Sequence, residues 1–189
     1  MEINNKIVYI KTESKSDQIK AAFDEIFERD HKDDSCNNFY YLISQDDDYS
    51  FKELIDIISV DISADISIFE SLVIDDKKNI EGYLSLFRDC NKRGFFNTTD
   101  LCLYYLTNDN KRLKELSAYF INALENDNDL INVCKAMFKN DLNVSRAAKD
   151  AYMHRNTIIN KLDIIRKKTN LNIQEFSDAM AAYALINYK

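Results

Sequence analysis

Asn143-Val144-Ser145-Arg146-Ala147-Ala148-Lys149-Asp150-Ala151, then Tyr152-Met153-His154, then Arg155-Asn156-Thr157-Ile158-Ile159-Asn160-Lys161-Leu162-Asp163-Ile164-Ile165: these residues decide the fold of the C-terminal part of this chain. The first segment predicts a short helix whose alanines lie on the inner side, where small side chains let a second helix cross closely. The middle segment is a turn. The third predicts a helix in which Ile158, Leu162 and Ile165 recur at spacings of four and three and face a small core, with Met153 plugging the turn. Arg155, Asn156, Asn160 and Lys161 are left outside.

Two helices joined in this way form a helix-turn-helix, and the chemistry of the outer face suits DNA. A helix fits the major groove, where Arg pairs with guanine edges and Asn with adenine, and Thr offers a hydroxyl and a methyl. Arg166-Lys167-Lys168 at the far end of the same helix suits sequence-independent phosphate contacts. The candidate DNA-binding residues are therefore Ser145, Arg146, His154, Arg155, Asn156, Thr157, Asn160, Lys161, Lys167 and Lys168. On an isolated helix the same polar residues would read as an ordinary solvated face; the context of the preceding helix and turn favours groove contacts. His154 has no metal partner nearby in sequence, and a helix-capping or backbone-contacting role suits it better than one as ligand, pH sensor or catalyst.

Charge is distributed to match. The 189-residue chain has a net charge of −7, but residues 1–110 carry 12 Lys/Arg against 23 Asp/Glu, whereas residues 111–189 carry 13 against 9. Within Lys135–Lys168 nine basic residues meet three acidic ones, so positive charge gathers around the reading helix. The acidic front half would limit indiscriminate adhesion to DNA.

That front half alternates short apolar runs with helical patterns. Lys6–Ile10, Phe39–Ile43 and Ile66–Ile74 read as strands. Ser16–Arg29, Phe51–Ile62 and Ile80–Cys90 read as helices, the first capped by Ser16 and carrying Ile19, Ala22, Phe23, Ile26 and Phe27 as its apolar stripe. The acidic clusters Asp33-Asp34, Asp46-Asp47-Asp48 and Asp75-Asp76 lack the spaced ligands and central Gly of a calcium loop, and read as solvated caps and turns. Proline is absent and Gly occurs only at 82 and 94, so few positions should demand a positive φ. Four cysteines without a C-x-x-C pair, Cys36, Cys90, Cys102 and Cys134, read as buried free thiols. No metal or cofactor is called for. The chain also lacks a run of about 18 apolar residues and a secretory leader pattern, which predicts a cytoplasmic protein with no membrane partner.

From Thr98 the pattern is wholly helical. Thr98 or Thr99 caps a helix through Leu101–Leu106, and after an Asn-Asp-Asn break Lys111–Leu124 places Leu113, Leu116, Phe120 and Leu124 on one face. Asp127 or Asn128 then caps a supporting helix with Leu130, Val133, Cys134, Met137 and Phe138 as its stripe, stopped by Asn140-Asp141. The last helix, capped by Asn172 with Glu175 as box partner, carries Ile173, Phe176, Met180 and Tyr183 on a face suited either to sealing the module or to pairing protomers.

Ala147-Ala148, His154-Arg155-Asn156-Thr157 and Lys161-Leu162 within Asn143–Ile165 resemble the C-terminal helix-turn-helix of PucR/CdaR-type transcriptional regulators. The resemblance extends back to Asp127-Asn128-Asp129-Leu130 and forward to Asn170-Leu171-Asn172-Ile173, and its two-helix core is similar to the Fis-type module. Tyr152 stands where many such motifs have Gly, and Asn160 where an aromatic or Arg often precedes the second basic residue. Regulators of this type often carry a degenerate GGDEF-like domain before the module, which Asp61–Glu81 faintly resembles. No Gly-Gly-Asp-Glu-Phe sequence or phosphate-cradling Gly loop is present, so no cyclase activity is implied.

The fold expected is α+β: an acidic α/β domain over 1–96, possessing a sensing or dimerising role, a helical connector over 97–126, and an all-α helix-turn-helix domain over 127–189. The function expected is that of a homodimeric transcriptional regulator reading a palindrome in double-stranded DNA through Arg155–Ile165, with a small-molecule effector as a further partner. The alternative is a non-enzymatic interaction or sensor protein that uses the helix-turn-helix as a scaffold. No Cys/His, Ser/His/Asp or spaced carboxylate pair points to an enzyme.

Overall fold

A computed structural model describes residues 5–28, 31–35, 37–44, 49–74 and 80–188. The chain divides into two compact units, Met1–Asn97 and Thr98–Lys189, the first built on a mixed sheet and the second wholly helical, an α+β protein.

In the first unit, strand β1 (Asn5–Thr12) is followed by helix α1 (Ser16–Phe27), strands β2 (Lys32–Ser35) and β3 (Asn38–Ser44), helix α2 (Phe51–Ile62), strand β4 (Ile66–Ile74), helix α3 (Ile80–Asp89) and strand β5 (Gly94–Phe96). The sheet order is β2-β3-β1-β4-β5, with β1 antiparallel to both neighbours and β5 parallel to β4. The first six elements thus form a split β-α-β with ferredoxin-like strand order. The sequence explains the placement. Ile7-Val8-Tyr9-Ile10 is an unbroken apolar run because β1 is central and covered on both faces. β3 alternates, burying Phe39, Tyr41 and Ile43 beside α1 and α2. On the other face Tyr9, Phe69 and Phe87 stack, bringing α3 against the sheet. The Lys11 ammonium donates to the carbonyls of Arg88 and Cys90, closing the open end of α3.

Three local expectations are corrected here. Ser16 does not cap α1: it is the first helical residue, its hydroxyl is buried without a partner, and Lys15 occupies the cap position in a left-handed conformation. Asp33-Asp34 is not a solvated turn but part of β2. Asp34 has a side chain only 2% exposed, accepts from Tyr9 at 2.7 Å, and forms a forked pair with Arg88, which also reaches Glu81. Arg88 lies 54 residues away in sequence, too far for a local reading to find. The clusters Asp46-Asp47-Asp48 and Asp75-Asp76, like Cys36, lie outside the described residues. Finally, positive φ is common despite the scarcity of Gly: nine non-Gly residues among those described adopt it, including Glu28 and Ser63 at helix ends.

Asp24 of α1 ties this unit together at a second polar node. Burial opposes its ionisation, but the Tyr41 hydroxyl at 2.7 Å and the His31 ring and backbone hold its carboxyl below the usual range. A folded-state pKa below the unfolded value contributes stability above the unfolded pKa of about 4, lost as pH falls through the folded value. The stability difference between wild type and Asp24→Asn should therefore be largest near neutral pH and shrink below about pH 4. Urea titrations at several pH values check this.

In the second unit, helices α4 (Thr98–Asn108) and α5 (Asn110–Ala123) precede α6 (Asn128–Lys139), α7 (Val144–Asp150), α8 (Arg155–Thr169) and α9 (Phe176–Asn187). Asp109 caps α5 and Asp127 caps α6, each accepting from two backbone N–H groups. Leu113, Leu116, Phe120 and Leu124 are fully buried. The helices expected to form a separate connector over 97–126 instead pack within this unit. Their bonds run to α9 and the residues beside it: Thr99 donates to Asp178, Ser117 to the Leu185 carbonyl, and Tyr188 back to the Asn110 carbonyl. Ala179, Ala181, Ala182 and Leu185 form the buried face of α9, small enough for α4 and α5 to approach. Asn172 does not cap α9, which begins at Phe176 with Glu175 at the cap position; Asn172 accepts instead from Gln174 N–H in the preceding turn.

Cys90, Cys102 and Cys134 are buried free thiols, and burial pushes those of Cys102 and Cys134 up to about 12. Among the described residues no helix is long and apolar enough to cross a membrane, and no group of three or more His, Cys, Asp or Glu is placed to hold a metal.

Candidate nucleic-acid interface

The turn between α7 and α8 is built by backbone geometry rather than by glycine. Asn143 caps α7 by accepting from Arg146 N–H at 3.0 Å, and Ala147 and Ala148 are buried where α8 crosses. After Ala151 the chain reverses. Met153 N–H donates to the Ala148 carbonyl and Tyr152 N–H to that of Lys149, a Schellman closure with Tyr152 at φ 53°. This position favours Gly, and Tyr152 is 96% exposed, so its side chain gains no packing in return. Tyr152→Gly should raise the stability of the second unit by about 1 kcal/mol, relief of left-handed strain outweighing the added freedom of the unfolded chain. Thermal unfolding should show a midpoint higher by about 4 °C or more.

His154 caps α8 through its ring, whose Nδ1 accepts from Asn156 N–H at 3.2 Å. Ile158, Leu162 and Ile165 are buried as expected, joined by Thr169. With the inner stripe fixed, Arg155, Asn156, Thr157 and Asn160 are exposed, the first three in the opening turn, where the helix dipole is positive. Ser145 and Arg146 are exposed at the start of α7, Arg146 paired with Asp141 at 2.9 Å. Ile164, unassigned in the sequence, is exposed seven residues after Thr157 and four after Asn160, on their side of the helix.

Lys161 and Lys168 depart from the expectation of a free basic face. Lys161 is half-buried against α6 with its ammonium 3.2 Å from Asp129, and Lys168 pairs with Glu125. Both acids lie outside the Lys135–Lys168 window, so the folded surface is less basic than the linear count. The exposed cations of that window with no ion-pair partner among the described residues are Lys135, Lys149, Arg155 and Arg166. Arg166 was read with Lys167 and Lys168 as a phosphate contact, whereas Lys149 was not singled out; what marks Lys149 is the placement of acids by the fold, which periodicity does not carry. Lys167 is exposed beside Arg166 in the last turn of α8.

Residues 130–187, spanning α6 to α9, match the family model described as the PucR C-terminal helix-turn-helix domain. No curated protein sequence matches the chain. Among solved structures, the regulator of polyketide synthase expression from Bifidobacterium adolescentis is similar at a TM-score of 0.48 and 12% identity, over 96% of this chain and 78% of that one.

Proposed function

Because the chain carries a PucR-type C-terminal helix-turn-helix domain, we infer that the protein is a DNA-binding transcriptional regulator reading a palindromic site as a homodimer. The observation that carries this reading is the exposed first turn of α8, Arg155-Asn156-Thr157, on a helix anchored by Ile158, Leu162 and Ile165. Arg155 has no ion-pair partner among the described residues and is available for a guanine edge; Asn156 suits adenine. Thr157 and Asn160 extend the same surface along the groove. Ser145, Arg146, Lys167 and Lys168 would hold phosphates, and His154 would orient the first turn through its cap. Lys161 and Lys168 would exchange a carboxylate for a phosphate. Exposed ion pairs contribute about 0–1 kcal/mol, so that exchange costs little.

One short helix reads few base pairs, and a second reader about 34 Å away along the duplex completes a palindrome. The acidic first unit would serve as the sensing or dimerising domain. A polar cavity of about 340 Å³ lined by Lys11, Glu13, Asn38, Ser67, Lys92 and Arg93 supports a small polar effector there.

Titration of a duplex at rising salt tests the reading. If one protomer on a single half-site neutralises about five phosphates, log affinity should fall against log salt with a slope near −4.5. Lys167→Ala with Lys168→Ala should weaken binding to all sequences alike and flatten the slope by about one to two. Salt-independent retention, or none at low salt, would exclude DNA as the partner.

A further inference from the structure

The sequence left the apolar face of α9 either to seal the module or to pair protomers, and its burial separates the two. Ile173 is buried before the helix begins, whereas Phe176 is 74% and Tyr183 55% exposed, with Met180 also open to solvent. These side chains line a groove of about 410 Å³ together with Phe138, Leu142 and Asp141, whose carboxylate pairs with Arg146 at 2.9 Å. The Phe138 ring meets that of Tyr183 edge-on at 5.5 Å, so the groove is a formed surface. Among the described residues nothing fills it.

We propose that this groove and the exposed stripe of α9 are the surface on which a second copy of the chain docks when two copies occupy paired half-sites. The proposal rests on the reading of the domain as a DNA binder. Two properties point to a second copy rather than a different protein. First, Phe176, Met180, Tyr183 and Asn187 recur at spacings of four, three and four, the seam of a two-helix contact, with a polar Asn at one position. Second, a two-fold contact sets a patch against itself, so any net charge repels its own copy. Residues 179–188 contain no charged side chain, and the one carboxylate lining the groove, Asp141, is paired with Arg146, so little net charge opposes a second copy or selects an acidic or basic partner. The exposed Phe176 ring supplies a knob, and the groove beside it a hole for the partner's ring.

Size decides when the contact forms. A 12-residue helix is about 18 Å long and about 10 Å wide, a face well short of the ~800 Å² per partner of a stable complex. Pairing through it alone is weak in solution. On a palindrome each copy is already held by its half-site, which raises the effective concentration of its neighbour and lets a weak contact act as cooperativity.

The test compares full-length wild type and Phe176→Glu on duplexes carrying one or two copies of a half-site selected from random sequence. Glutamate suits the first turn of a helix, so the fold should persist, and circular dichroism checks it. Wild type should bind the two-site duplex cooperatively, and Phe176→Glu should keep wild-type affinity for one half-site while losing about 10-fold or more on two. Phe176→Leu should retain most of the cooperativity. Undiminished cooperativity in Phe176→Glu would place the contact elsewhere and overturn the proposal, as would an equal loss on the single half-site. If wild type binds no duplex in a salt-dependent way, the reading of the domain itself fails, a different result from either.

Discussion

Replacing Glu70 by alanine is expected to cost the first unit about 3–5 kcal/mol, because it strands a buried ammonium. Lys6 and Glu70 meet at 2.7 Å with side chains 7% and 10% exposed, so water cannot take over when one partner is removed. Such a loss is a large share of the roughly 5–15 kcal/mol that holds a domain folded. Replacing both, as Lys6→Met with Glu70→Leu, should recover most of it, since an apolar pair of similar volume carries no desolvation penalty. Asp34→Ala should cost less: Arg88 is one-third exposed and keeps Glu81 as a partner. Urea unfolding followed by circular dichroism ranks the three variants, and a cost below about 1 kcal/mol for Glu70→Ala would mean that water reaches the pair.

The second large effect concerns binding. Arg155→Ala with Asn156→Ala should remove sequence-specific recognition while leaving the unit folded, since both side chains are exposed and neither contributes to the inner stripe. A good bidentate base contact discriminates by about 1–3 kcal/mol, so the double variant should lose about 30-fold or more on its preferred site. Binding to unrelated duplex should fall far less, because one of the two substitutions removes no charge. This contrast separates base readout from phosphate adhesion, which Lys167 and Lys168 would mainly serve.

How much of this was legible in the sequence depends on how local the signal is. The α8 stripe and the small alanines of α7 are both read within one or two helical turns, and the structure places them as the spacing implies. β1, β3 and β4 were legible as apolar runs for the same reason. β2 was not, because Lys32-Asp33-Asp34-Ser35 has no apolar alternation; as an edge strand it needs none, and its charges discourage pairing with another chain. β5 was missed because three residues in a parallel pair carry too little pattern.

The candidate site shows the same division. Exposure of Arg155, Asn156, Thr157 and Asn160 follows from periodicity alone, whereas the pairing of Lys161 with Asp129 and Lys168 with Glu125 arises from how α8 packs on its neighbours. The scarcity of Gly misled for a related reason. Helix ends here take left-handed positions with Glu28, Ser63, Tyr152 and Asn170, so the termination signal lies in the backbone and not in residue type.

Selection of bound sequences from a pool of random duplexes, carried out at moderate salt with wild type and with the Arg155→Ala, Asn156→Ala variant in parallel, tests the central claim most directly. Wild type should enrich a two-fold-symmetric motif with half-sites about one helical turn apart, and the variant should enrich none. The same pool composition before and after selection with wild type, or one motif enriched equally by both proteins, would contradict the assignment of α8 as the reading helix.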